Sequence, residues 1–297
     1  MYRLLALDMD GTLLNRKKMI TPEVHQALRH LIREGVNVTI ASGRFPASVW
    51  LHGQHVGMNG PLVAFNGAAI LDANSGELLH GTPIPPEAAH RIALLAADKG
   101  VYVHFYGYRT LFVEEINSMN ASWPLANVVV DPDKPLTYAN YQEQADRILV
   151  KPVGSLAAFT NHASEPLYKS TVISDDPVRL SEMYEELQAS KQFALTKTGQ
   201  RRFDINAQGV SKRTALELLC RIHGIQPFEV VAMGDYDNDA DMLQWAGLGI
   251  AMGNSSDEIK QVAKAVTTSN EENGVAAAIE LYFSNITKPN IGRESSC

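Results

Sequence analysis

Asp8 and Asp10 are separated by a single residue in Asp8-Met9-Asp10-Gly11-Thr12, directly after the apolar run Leu4-Leu5-Ala6-Leu7. A short, unbroken apolar run of this kind fits a strand buried on both faces, as in parallel sheets covered by helices. Charge at the end of such a strand reaches the rim where open α/β sheets hold ligands. A lone Asp-x-Asp is ordinarily a solvated Asp-Gly turn. A calcium loop is excluded, because it needs glycine at its sixth position and Gly11 is the fourth. Two carboxylates this close can bind Mg²⁺ or divide nucleophile and acid/base roles between them.

A second acidic array, Gly234-Asp235-Tyr236-Asp237-Asn238-Asp239-Ala240-Asp241, follows the strand-like run Glu229–Met233. It imitates an EF-hand, yet Ala240 takes the place of the required glycine and Ala246 that of the bidentate glutamate. The array therefore reads as a second strand end, with one Mg²⁺ shared among Asp8, Asp10 and Asp235 and a phosphate completing the shell. Two further signals lie between these arrays. Val36–Ala41 runs into Ser42-Gly43-Arg44, where a hydroxyl and exposed N–H groups can hold phosphate oxygens. Gly209-Val210-Ser211-Lys212 opens a helix with Ala215, Leu218, Leu219 and Ile222 on one face, placing Lys212 at the positive end of its dipole.

Taken in order, the four segments resemble the haloacid dehalogenase superfamily and, within it, the Cof-type phosphatases. Phe65-Asn66-Gly67-Ala68, Ala251-Met252-Gly253-Asn254 and Val266–Asn270 leading to Gly274-Val275-Ala276 add to the likeness, which covers residues 1 to about 82 and about 201 to 285. Arg213 stands where many relatives carry glycine, and the bulky Tyr236 follows Asp235. The resemblance implies a Mg²⁺-dependent phosphoric monoester hydrolase working through an aspartyl-phosphate. It assigns Asp8 as nucleophile and Asp10 as the acid that protonates the leaving alcohol and the base that then activates water. Mg²⁺ falls to Asp8, the main-chain carbonyl of Asp10, and Asp235. Phosphate oxygens fall to Ser42, the N–H groups of Met9 and Gly43, Lys212 and Asn238. Thr12 would orient Asp10, Asp239 would steady Lys212 or a metal-bound water, and Arg44 and Asn66 would support the site. Asp237 and Asp241 are expected as solvated or capping residues. A phosphomutase on the same scaffold and a non-catalytic sugar-phosphate sensor are the alternatives; retention of Asp8, Asp10, Lys212 and Asp235 together speaks against the sensor.

At 297 residues the chain exceeds what one core usually holds. The alternation of strands and helices up to Phe65 implies parallel strands with right-handed crossovers. Thr82-Pro83-Ile84-Pro85-Pro86 breaks that pattern, and hairpin-like strands with clustered helices follow. We expect an α/β, Rossmann-like core of residues 1–82 and 201–297 with an inserted α+β cap of the C2 type at 83–200. The hinges would be the proline segment and Thr198–Arg202. Residues 122–145 read as irregular and 286–297 as frayed.

A net charge of −7 and the lack of any Lys/Arg-rich run argue against a nucleic-acid binder. No long apolar span is present, and the opening residues already form the strand of the first motif, so neither signal peptide nor membrane anchor is expected. Cys220 and Cys297 are the only cysteines, which fits a reducing cytoplasm. His52 and His55 are expected on a solvated helix face and not at a metal. A small phosphorylated metabolite is the expected partner, with sugar phosphates, pyridoxal phosphate and flavin-pathway phosphates all open. Arg109, Lys169 and Arg201-Arg202 are the charged candidates of the cap, each expected as a solvated charge.

Overall fold

The computed structural model describes residues 2–124 and 147–284. The irregular stretch expected at 122–145 lies almost wholly outside the described residues, as do the expected frayed end and Cys297.

The chain opens with β1 (Leu4–Leu7), α1 (Pro22–Arg33), β2 (Asn37–Ile40), α2 (Pro46–Val56) and the short strands β3 (Leu62–Ala64), β4 (Ala69–Leu71) and β5 (Leu78–Gly81). Every residue of β1 is buried, because the strand is central in its sheet and covered on both faces. The first helix starts as its sequence dictates. Thr21 accepts a bond from the Val24 N–H, Pro22 opens the first turn, and Val24, Leu28 and Leu31 turn one face inward.

The middle of the chain supplies α3 (Pro86–Lys99), β6 (Tyr102–Tyr106), β7 (Thr110–Val113), α4 (Ser118–Ala121), β8 (Leu149–Pro152), α5 (Leu156–Thr160), β9 (Lys169–Ile173), α6 (Pro177–Ser190), β10 (Phe193–Gly199) and β11 (Arg202–Ala207). The return brings α7 (Lys212–His223), β12 (Val230–Gly234), α8 (Ala240–Trp245), β13 (Leu248–Ala251), α9 (Asp257–Val262), β14 (Ala265–Val266) and α10 (Gly274–Tyr282).

Among the described residues three sheets result. The core sheet has the order β14-β13-β12-β1-β2, and all its pairs are parallel. The cap is a mixed six-stranded sheet, β10-β11-β9-β6-β7-β8, antiparallel except for β7 against β8. A small antiparallel sheet, β3-β4-β5, sits beside the core. The fold is thus α/β with a parallel core and a separate mixed-sheet cap. In one respect the chain departs from expectation. Thr198–Arg202 is not a hinge but the turn of the β10–β11 hairpin, and both of those strands belong to the cap sheet.

β1 and β12 are neighbours in register, so the ends that carry Asp8 and Asp235 emerge together. Parallel pairing alone achieves this for two motifs more than 200 residues apart. No helix among the described residues is long and apolar enough to cross a membrane.

Candidate active site

Asp8 follows the last residue of β1, with its N–H bonded to the Met233 carbonyl at 3.0 Å. Its Oδ1 lies 2.5 Å from Lys212 Nζ, which also donates to Asp239 Oδ1 at 2.6 Å. Lys212 is buried at the first position of α7, whose start is fixed by a reciprocal Ser211–Thr214 capping box. Asp239 Oδ2 accepts from the N–H groups of Asp235 and Tyr236 at 2.9 and 3.0 Å. Asp239 therefore ties Lys212 to the loop that carries Asp235. Thr12 donates to Asp235 Oδ1 at 2.9 Å, so it orients Asp235 and not, as expected, Asp10. Gly11, at φ +91°, lies so close to Asp235 that a Cβ would fall 2.1 Å from Oδ2.

The carboxylates of Asp8, Asp235 and Asp239 each place an oxygen within 4.8 Å of the others. Burial pushes the Asp8 carboxyl well above the usual carboxylate range; Lys212 opposes this, and Asp239 and Asp235 add to it. Burial and then Asp239 push Asp235 up to about 6. Lys212 moves the other way. Burial disfavours its charge, but Asp239 and Asp8 outweigh that and hold it above the ordinary lysine range. Three clustered carboxylates against one ammonium leave surplus negative charge on hard oxygen donors. That donor set fits Mg²⁺.

Asp10 turns away from this cluster. Its carboxylate accepts from Arg44 Nε and Nη2, both at 2.7 Å, and from Lys18 Nζ at 2.6 Å. Burial pushes this carboxyl up, but the Arg44 fork and then Lys18 overcome it and hold it well below the usual range. These two cations favour the ionised form, whereas the acid role expected of Asp10 needs the neutral one. Ser42 is buried, its Oγ accepting from the Arg44 N–H at 3.3 Å. Gly43 packs so tightly on Asn66 that a Cβ would lie 2.6 Å from Asn66 Oδ1. Asn66 Oδ1 accepts from Asn238 at 3.2 Å, and its Nδ2 faces Asp204 and Asn206 of the cap at 3.3 and 3.2 Å. These groups border a cleft of about 480 Å³ between core and cap.

A family model described as haloacid dehalogenase-like hydrolase matches residues 5–279. The chain belongs to the haloacid dehalogenase-like hydrolases. It is 31% identical over 293 residues to the 5-amino-6-(5-phospho-D-ribitylamino)uracil phosphatase YwtE of Bacillus subtilis, covering 94% of this chain and 98% of that one. It is 27% identical over 277 residues to the pyridoxal phosphate phosphatase YbhA of Escherichia coli, covering 93% and 97%. A solved haloacid dehalogenase-like hydrolase from B. subtilis superposes with a TM-score of 0.79 at 26% identity, covering 94% and 99%. This hydrolase is accordingly an enzyme, a Cof-type phosphatase.

The structure of the hydrolase brings Asp8, Asp10, Ser42, Gly43, Arg44, Asn66, Asp235 and Asn238 to one cleft wall, with Lys212 and Asp239 buried directly behind Asp8. Met9 is buried with its side chain in the core. Asp237 is exposed, whereas Asp241 is half-buried, with an Oδ1 that has no hydrogen-bond partner among the described residues. Of the cap candidates, Arg201 is an exposed partner of Asp175, and Arg109 lies outside the cleft. Arg202 lines it. Lys169 lines it too, but as a buried partner of Asp204, contrary to the expected solvated charge. His52 is another correction. It is buried, with Nδ1 on the Ser48 carbonyl at 2.8 Å, and burial and then Arg44 push it down to about 3. Sequence reasoning missed Lys18, Tyr106, Trp123, Thr171 and Asp204, which also line the cleft. A signal for two of them exists: strand alternation puts Tyr106 of β6 and Thr171 of β9 on one face of the cap sheet.

Proposed function

We propose that this hydrolase cleaves phosphate monoesters of a small metabolite with Mg²⁺, through a covalent phosphoryl group on Asp8. The observation that carries the reading is the Asp8 carboxylate, which lines the cleft and lies 2.5 Å from Lys212 Nζ within a cluster of three acids. Asp8 Oδ attacks phosphorus in line; the P–O bond to the leaving alcohol breaks, and water later releases the phosphoryl group from Asp8. Lys212 favours the ionised form of Asp8 against the burial that opposes it, and neutralises phosphoryl oxygens. Ser42, Asn238 and the N–H groups of Met9 and Gly43 bind the remaining oxygens. Asp8, Asp235 and the Asp10 carbonyl would hold Mg²⁺, which when bound would add neutralisation of phosphoryl charge.

Asp10 serves as base for the attacking water in the form already favoured by Arg44 and Lys18. To act first as acid it must be released from them. An incoming phosphate dianion supplies the means, because it competes for the Arg44 guanidinium and its charge raises the affinity of Asp10 for a proton.

We divide the chain into a core, up to about residue 82 and again after Ala207, and a cap between, because β11 belongs to the cap sheet. The names of the B. subtilis and E. coli relatives point to small phosphate monoesters with a ring in the leaving group, so flavin-pathway, pyridoxal and sugar phosphates form the panel to screen. A cytoplasmic location accords with such substrates and with the buried thiol of Cys220. The test is a phosphate-release assay with Mg²⁺, with EDTA, and with Ca²⁺, whose longer and more numerous bonds misaim the Asp8 oxygens. Release with Mg²⁺ alone is expected. An isomerised product identifies a mutase, and neither product nor phosphate identifies a sensor.

A further inference from the structure

Lys169 lies on the cap, yet it reaches into the core. Its Nζ donates to the Gly43 carbonyl at 2.8 Å and to Asp204 Oδ2 at 2.9 Å, and it lies 4.4 Å from the centre of the Tyr106 ring. The side chain is only 7% exposed. Asp204 is itself fixed, because the Thr171 hydroxyl donates to its Oδ1 at 2.7 Å. The ammonium is thus held from below by a carboxylate and an aromatic face, and it aims one N–H across the domain junction at a single main-chain oxygen.

That oxygen belongs to the peptide joining Gly43 to Arg44. A trans peptide is planar, with C=O and N–H pointing in opposite directions. Fixing the Gly43 carbonyl therefore fixes the Arg44 N–H, which donates to Ser42 Oγ at 3.3 Å. With one lone pair of Ser42 so occupied, its own O–H is left to point elsewhere, and among the described residues it donates to no other group. Ser42 lines the cleft. Gly43 leaves this peptide without side-chain restraint, so an external tether matters more here than it would at a substituted residue.

We propose that Lys169 is a positioning residue for phosphate binding: seated by Asp204, it orients the Gly43–Arg44 peptide and, through it, the Ser42 hydroxyl toward the phosphate. Cap seating and completion of the phosphate site are then one event. This rests on the reading of Ser42 as a phosphate ligand.

A double-mutant cycle tests it, with p-nitrophenyl phosphate as substrate and inorganic phosphate as inhibitor. Ser42→Ala removes a hydrogen bond to a charged group and should lower kcat/KM by about tenfold or more. Lys169→Met should lower kcat/KM and weaken phosphate inhibition in the native background by a similar factor. In the Ser42→Ala background it should add almost nothing, because the group it acts through is gone. Equal losses in the two backgrounds overturn the proposal while leaving Ser42 a phosphate ligand; they mean that Lys169 contacts the substrate or merely supports the cap. A Ser42→Ala enzyme as active as the native one overturns the reading of Ser42, and the proposal with it. Lys169→Met strands the Asp204 carboxylate, so the cycle is repeated with Lys169→Met/Asp204→Asn, which removes both charges. If neither form folds, Lys169 is a structural residue of the cap and the proposal fails.

Discussion

His52 shows how one buried side chain near the site sets a pH limit on the whole protein. Its ring is buried, and Arg44, the residue that clamps Asp10, further disfavours its charge. The folded value is about 3, against an ordinary 6.5 in the unfolded chain. Between those values the unfolded chain binds more protons, so stability falls as pH falls from 6.5 and is fully present above it. Near pH 5 this residue alone should cost about 2 kcal/mol relative to neutral pH. Urea midpoints at the two pH values check it. The difference should shrink in His52→Gln, which does not titrate, and an unchanged difference would show that other groups set the acid limit.

Among elements, the turn at Phe65-Asn66-Gly67 has the largest consequence. All three residues have positive φ, at +52°, +60° and +110°. A Cβ on Gly67 would fall 2.1 Å from the main-chain oxygen of Ser211, the N-cap of the helix that presents Lys212. Gly67→Ala should therefore push the start of α7 out of place, destabilising the fold by roughly 2–4 kcal/mol and lowering kcat. Gly224, at the other end of α7, is the control. It is also left-handed, at φ +61°, but nothing lies within 4 Å of its Cβ position. Gly224→Ala should cost only about 1 kcal/mol and leave kcat unchanged. Comparable losses of kcat in both variants would mean that the approach of Gly67 to Ser211 does not position Lys212.

At the scale of the whole molecule, the core was legible in the sequence and the cap side of the site was not. Leu4–Leu7 and Val230–Gly234 are buried strands whose ends carry the acids, so each apolar run located its own motif. Parallel register then brought Asp8 to Asp235 without any further information. Lys169 and Asp204 carry no such local mark. They meet because β9 and β11 pair antiparallel with Asp204 opposite Thr171, and that register depends on the folded sheet. The Arg44–Lys18 clamp on Asp10 was equally hidden, since a Ser-Gly-Arg turn does not say where its guanidinium points. Arg202 is a cap cation in the cleft that the tether does not use; its Nε donates to the Thr198 carbonyl at 3.2 Å. Arg202→Ala should reorder the ranking of metabolite substrates while changing p-nitrophenyl phosphate turnover little. A ranking identical to the native one would remove Arg202 from substrate selection.

Covalent trapping measures transfer of the phosphoryl group to Asp8. Enzyme in turnover is quenched in acid and reduced with borohydride, which converts an acyl phosphate to the alcohol; the site is then read by peptide mass spectrometry. Asp10→Asn should raise the trapped fraction by slowing release to water, and Asp8→Asn should trap nothing and lose more than ~10³-fold in turnover. Reduction confined to Asp8 is the predicted result. Reduction at another carboxylate, or full turnover in Asp8→Asn with unchanged circular dichroism, would contradict the account.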